Sequence, residues 1–129
     1  MRTFLLPLSF LVILSACDPG TGYTRALQNN TDKVIKVEFY HQSVRGYPTG
    51  PVWIEPASIS TLFVYGHIGS NPEPVEPMYR IDSVHITTDG AIIIKDMMLS
   101  DNWEVKTRKH GRSYDHAYIF TVNPGDLKK

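Results

Sequence analysis

Lys33-Val34-Ile35-Lys36-Val37-Glu38-Phe39-Tyr40 is the stretch on which the fold turns, because Ile35, Val37 and Phe39 alternate with Lys36, Glu38 and Tyr40. Successive side chains of a strand point to opposite faces, so this period of two describes a strand with one face in a core and the other in water. Asn29-Asn30-Thr31-Asp32 lies just ahead of it. All four side chains favour turns, which separates the strand from an opening one over Tyr23 to Gln28. Downstream the pattern repeats in short runs bounded by Gly, Pro, Asn or Asp. Val52-Trp53-Ile54 sits between prolines, which places Trp53 near a sheet edge. A strand over Ile59 to Tyr65 follows, then Gly66 to Met78, where Pro72, Pro74 and Pro77 with Glu73 and Glu76 predict an extended, exposed loop.

Tyr79 to Thr87 and Ala91 to Lys95 flank Thr88-Asp89-Gly90, and Asp-Gly between two such runs is a hairpin signal. Ile92-Ile93-Ile94 lacks alternation and predicts a strand covered on both faces. Asp96 to Asn102 suits a single helical turn. Trp103 to Lys109 and Ala117 to Val122 then pair around a loop containing Gly111. No segment carries a convincing helical period. The expectation is an all-β chain: a two-sheet antiparallel β-sandwich of about seven or eight strands, immunoglobulin-like or related, with a small closed β-barrel as the alternative. Its core should hold Ile35, Val37, Phe39, Val84, Ile86, Ile93, Trp103, Tyr118 and Phe120.

The first residues read differently. Met1 and Arg2 precede an apolar run from Phe4 to Leu14, which ends in Leu14-Ser15-Ala16-Cys17. A positive end, a short apolar core and small residues at a cut form an export signal. A spanning helix needs about 20 apolar residues, whereas this run holds 11 and includes Pro7 and Ser9. Leu-Ser-Ala-Cys matches the bacterial lipobox, in which the cysteine is acylated and the peptide cut just before it. Residues 1–16 are therefore expected to be a signal peptide, 17–22 a lipidated Cys17 with a short tether, and 23–129 one domain. A plain secreted protein with a chance cysteine is the competing reading. Several acyl chains on Cys17 would make the attachment to the membrane effectively permanent.

Removing 16 residues from 129 leaves 113, enough for one modest core. Taking Arg2 away leaves 12 basic against 13 acidic side chains, a balance that favours neither nucleic acid nor anionic lipid as a partner. Cys17 is the single cysteine, so the mature domain has no disulfide or thiolate ligand of its own.

The lipobox, Asn29-Asn30-Thr31, Asp82-Ser83-Val84-His85-Ile86, Trp103 and Tyr118-Ile119-Phe120-Thr121-Val122 together resemble the small uncharacterised lipoproteins of Bacteroidota. The likeness runs from Tyr23 to Asp126, and Thr87 departs from it where such proteins often carry a large apolar residue. The resemblance implies a β-sandwich attached to an envelope membrane and carries across no catalytic residue.

Chemical constellations are sparse. His41, His67, His85, His110 and His116 lack the spacings that put two imidazoles on one face, although His110, Asp115 and His116 could converge on a metal in the last hairpin. Gly-x-Ser-x-Gly is absent. Glu73 and Glu76, three positions apart in a proline-rich run, could stand on one side at a glycosidase-like separation, though a solubilising loop explains them as well. Asp96, Ser100, Asp101 and Asn102 lack the ordered spacing of a calcium loop. Met97-Met98-Leu99 reads as a plug for the sandwich end or a patch for a partner. No cofactor, metal or catalytic residue is expected.

The functional expectation is a non-enzymatic interaction or accessory module of the bacterial cell envelope, lipid-anchored through Cys17 on the non-cytoplasmic side of a membrane and meeting a protein or glycan partner. A carbohydrate-binding domain is the alternative and a hydrolase the third reading. The candidate ligand-binding residues are Arg45, Tyr47 and Trp53, three hot-spot types within nine positions. Against them stands the reading in which Trp53 packs inward and the other two are ordinary loop residues.

Overall fold

A computed structural model describes residues 18–129. The signal peptide and the lipidation expected at Cys17 lie outside the described residues. The described residues are all-β and form nine strands, seven of them longer than two residues. They are β1 (Gly20–Asn29), β2 (Ile35–Tyr40), β3 (Val52–Ile54), β4 (Ser58–Ile68), β5 (Ser83–Thr88), β6 (Ile92–Ile93), β7 (Trp103–His110), β8 (Ser113–Val122) and β9 (Leu127–Lys128). A 3-10 turn at Ser100–Asn102 answers the helical turn expected there.

Two open sheets face each other, one ordered β4-β1-β8-β7 and the other β3-β2-β5, with β6 and β9 paired at the side. The sandwich, not the closed barrel, is the architecture. Neighbours run antiparallel except β1 and β8, which lie parallel with Tyr23 opposite His116 and Leu27 opposite Phe120. The parallel pair joins the two ends of the chain in the middle of the larger sheet, a pairing that no local signal announces.

The inner faces meet through Tyr23, Leu27, Phe63, Tyr118, Phe120 and Val122 on one side and Ile35, Val37, Phe39 and Ile54 on the other. Phe39 and Phe63 touch edge to face across the gap at 5.4 Å between centroids. Of the nine expected core residues, six are buried, and Val84, Ile86 and Ile93 pack half-buried against them. In β4 the register slips opposite Arg25/Ala26, and the extra residue lets the successive Leu62 and Phe63 both turn inward.

Asn29 ties the two sheets together at the far end of β1. Its side-chain amide donates to the carbonyls of Lys33 (2.7 Å), Ile54 (3.2 Å) and Glu55 (3.2 Å). Its oxygen accepts from the Thr31 N–H and the Thr31 hydroxyl. The turn expected from Asn29 to Asp32 is thus held by an Asx-type bond, and the same buried side chain closes three backbone acceptors.

Several local expectations are corrected. Gly20 to Gly22 belong to β1 rather than to a tether, because the Gly69 N–H donates to the Pro19 carbonyl and the ladder begins at once. The Asp89-Gly90 turn is present, with Gly90 at φ 67° and Thr88 bridged to Ala91. The chain then leaves β5 and pairs Ile92-Ile93 with β9. Ile92 and Ile94 are exposed there, not covered on both faces. The proline-rich segment is exposed at Pro72, Glu73, Pro74 and Glu76 as expected, but its end folds against the larger sheet. It buries Pro77, Met78 and Ile81, and turns at Tyr79 and Ile81 bond back to Glu76 and Met78.

Candidate functional site

Two surfaces collect side chains with binding chemistry, one on the outer face of the smaller sheet and one at the end of the larger sheet where the chain enters β1. On the smaller sheet, β3 is the edge strand and its register sets Trp53 opposite Lys36. Ile35 and Ile54 take the inner positions, so alternation sends Trp53 outward, where the residue remains 58% exposed. The Lys36 ammonium sits 5.2 Å from the indole centroid and pairs with Glu38 at 2.8 Å. Trp53, Lys36, Thr87, Thr88 and Asp89 border a shallow depression of about 280 Å3. An aromatic face flanked by hydroxyls and a carboxylate is a surface that stacks on a ligand ring and bonds its edge.

At the other surface, Tyr23, Tyr65, His67, Asn71, Val75 and Tyr79 line a cleft of about 150 Å3. The Asn71 amide donates to the Tyr23 hydroxyl at 3.1 Å, which leaves the hydroxyl proton to point at His67 Nε2, 3.3 Å away. That assigns the imidazole proton to Nδ1, which donates to the Ile68 carbonyl. His116, fully buried beneath, donates from Nε2 to the Asn71 carbonyl and accepts at Nδ1 from the Thr107 hydroxyl, both at 2.8 Å. These groups satisfy one another, so the cleft is a rigid polar frame rather than a set of free donors.

Beneath this frame lies Arg25, wholly buried. Its Nε donates to the Pro77 carbonyl at 2.9 Å. The guanidinium lies 4.8 Å from the Tyr118 ring centroid and 5.0 Å from that of Phe63. Desolvation lowers its pKa below the usual arginine value, and the nearby tyrosines oppose that shift. The cation holds the proline-rich segment against β1. Sequence reading missed it: Thr21, Tyr23, Arg25, Leu27 and Asn29 form the inner row of β1, and three of those five are polar. The period of two was there, but not as a contrast of apolar with polar.

The three candidate residues are not brought to one face. Tyr47 is buried at 5% exposure, packs on Phe63 at 4.7 Å, and donates its hydroxyl proton to the Tyr79 carbonyl at 2.7 Å. Burial raises its pKa above the ordinary tyrosine value. Arg45 is exposed on the turn closed by Gly46, whose φ is 88°. Trp53 faces solvent on β3 rather than covering the sheet edge, so of the three it is the aromatic that a ligand can reach.

The remaining constellations resolve into structural roles. His110 pairs with Asp115 at 3.4 Å, while both nitrogens of His116 are engaged elsewhere, and no group of metal-ligating side chains converges among the described residues. Glu73 and Glu76 are both exposed, and the Ser100 hydroxyl bonds to Glu76. Asp96 accepts from the Met98 N–H, and its carbonyl accepts from Asn102. Met97 plugs the core and its carbonyl accepts from the Trp103 indole, whereas Met98 and Leu99 are exposed. Among the described residues no helix is long and apolar enough to cross a membrane. Comparison with protein families, curated proteins and solved structures gives no match.

Proposed function

We propose that this chain is a lipoprotein of the bacterial cell envelope, anchored through Cys17, whose β-sandwich is a non-enzymatic interaction module needing no cofactor. The observation that carries the reading is the distance between signal and fold: β1 begins at Gly20, three residues after Cys17. A lipobox cysteine only three residues ahead of the first strand in sequence suits a domain built to ride on its anchor. Radiolabelled palmitate fed to producing cells should enter the wild-type chain and not Cys17→Ser. Equal labelling of both would overturn the anchor. Crosslinking in the same cells should then capture a partner that depends on the sandwich surface.

A second reading, glycan binding, is favoured by one feature, the exposed Trp53 ring over its depression. Trp103 is buried, so a glycan docking on the surface should perturb the emission of Trp53 alone. A saturable emission change that vanishes in Trp53→Ala supports this reading, and no change across a panel of oligosaccharides excludes it.

A further inference from the structure

The near-neutral net charge conceals an uneven distribution. Segment 105–114 contains Lys106, Arg108, Lys109, His110 and Arg112 and no carboxylate. It forms the tip of the β7–β8 hairpin, turned at Gly111 with φ 59°. Lys106 leans toward Glu104 at 3.6 Å, but among the described residues neither Arg108 nor Lys109 has a carboxylate at ion-pair distance. Lys109 lies 5.8 Å from the Tyr114 ring.

Topology brings this tip to the point where the chain enters the domain. The Gly20 N–H donates to the Ser113 hydroxyl at 3.0 Å, and Gly20 stands opposite Ile68 in the β1–β4 register. Ile68 is 82% exposed, the most exposed large apolar residue of the domain. The carboxylates nearby are Asp18, Glu104, which pairs with Lys106, and Asp115, which stands opposite Arg108 in the β7–β8 register and pairs with His110. Three extended residues reach on the order of 11 Å. An anchored Cys17 therefore keeps the start of β1 within about one and a half Debye lengths of the headgroups at physiological ionic strength, where the surface potential is still felt.

We propose that the end edge of the larger sheet, with Ile68 on β4 at one corner and Arg108 and Lys109 on β7 at the other, docks on an anionic phospholipid surface, so that the domain stands on the membrane in one orientation instead of tumbling about its tether. The proposal rests on the anchor at Cys17. Basic residues next to an anionic bilayer are drawn to it by its surface potential, and the exposed isoleucine can enter the interface at the other corner.

The test uses the full chain carrying Ile68→Cys or, as a control near the opposite end, Asp32→Cys. Each is nitroxide-labelled and reconstituted in phosphatidylcholine vesicles with or without phosphatidylglycerol. Acylation occupies the Cys17 thiol, so each chain should take one label. At position 68, collisions with oxygen should exceed those with a water-soluble nickel complex when phosphatidylglycerol is present. At position 32 the order should be reversed. Each cation at such a surface shifts the docked-to-free ratio about fivefold, so Arg108→Glu with Lys109→Glu should lower that ratio by about 25-fold or more. High salt on the unaltered tip should act in the same direction without any substitution. One label per chain with equal accessibility at both positions overturns docking and leaves the anchor standing. Two labels per chain in protein that does not sediment with the vesicles overturns the anchor, and docking with it.

Discussion

The guanidinium of Arg25 lies 4.8 Å from the ring centroid of Tyr118, wholly buried and with no carboxylate at ion-pair distance among the described residues. A buried cation without a counter-ion is costly unless its donors and its faces are occupied. Here a backbone carbonyl takes a donor and aromatic faces take the charge. The arrangement joins the β1 strand to the proline-rich segment.

Arg25→Met should therefore be milder than Arg25→Ala. The methionine keeps the volume and leaves the Pro77 carbonyl unpaired, at about 1–3 kcal/mol. The alanine adds a cavity between Phe63 and Tyr118 and should cost about 3–5 kcal/mol. Urea unfolding of the two variants measures the difference. A midpoint for Arg25→Ala equal to that of the wild type would show that the buried cation does not hold the segment.

Alkali should weaken the fold through Tyr47 and Tyr118, whose pKa values burial raises. An unfolded tyrosine ionises near pH 10, while these two keep their protons higher. Above that point the native state binds more protons than the unfolded one, so stability falls as pH climbs from about 10 toward the raised native values. Tyr47→Phe and Tyr118→Phe should each flatten this slope. Each should also cost about 1 kcal/mol near neutrality for a lost hydrogen bond, to the Tyr79 carbonyl or from the Val75 N–H. Denaturant titrations at neutral and alkaline pH check both effects, and parallel slopes for wild type and variants would contradict the assignment.

Asn29→Ala should cost about 1–3 kcal/mol, because it leaves the buried Ile54 carbonyl without the Asn29 donor, while the Lys33 and Glu55 carbonyls keep the Thr31 and Ser58 hydroxyls. Asn29→Asp is the sharper probe. It keeps the shape and the bonds from Thr31 but turns the donor into an acceptor facing three acceptors. It should be at least as destabilising as alanine at neutral pH and recover partly in acid, as thermal melts across pH would reveal.

Phe120 and Trp53 should behave oppositely. Phe120 is fully buried against Trp103, at 5.3 Å between centroids, and Phe120→Ala should cost about 3–5 kcal/mol. Trp53→Ala removes a side chain that is more than half exposed and should change stability by about 0.5 kcal/mol or less. A loss at Trp53 as large as that at Phe120 would mean that the indole packs in solution.

The strand pattern of 33–40, the turn at 29–32 and the Asp89-Gly90 reversal were legible along the chain because each is decided by neighbours: side-chain alternation, Asx bonding, a glycine at positive φ. Alternation in β2 carried the core correctly, since Ile35, Val37 and Phe39 differ sharply from the residues between them. The same period in β1 was silent, because Arg25, Asn29 and Thr21 share the inner row with Tyr23 and Leu27. Which residues form a candidate site depended on longer range still. Tyr47 was drawn into the core by Phe63 and Tyr79, far from it in sequence, and Trp53 was turned outward by its register with Lys36. The meeting of the basic hairpin with the entry of β1 follows from the parallel pairing of β1 with β8. Local chemistry specifies that a residue lies on a strand and which neighbours share its face. Which face turns inward, and what stands opposite, is settled only when distant segments compete to bury the same apolar surface and to satisfy the same backbone groups.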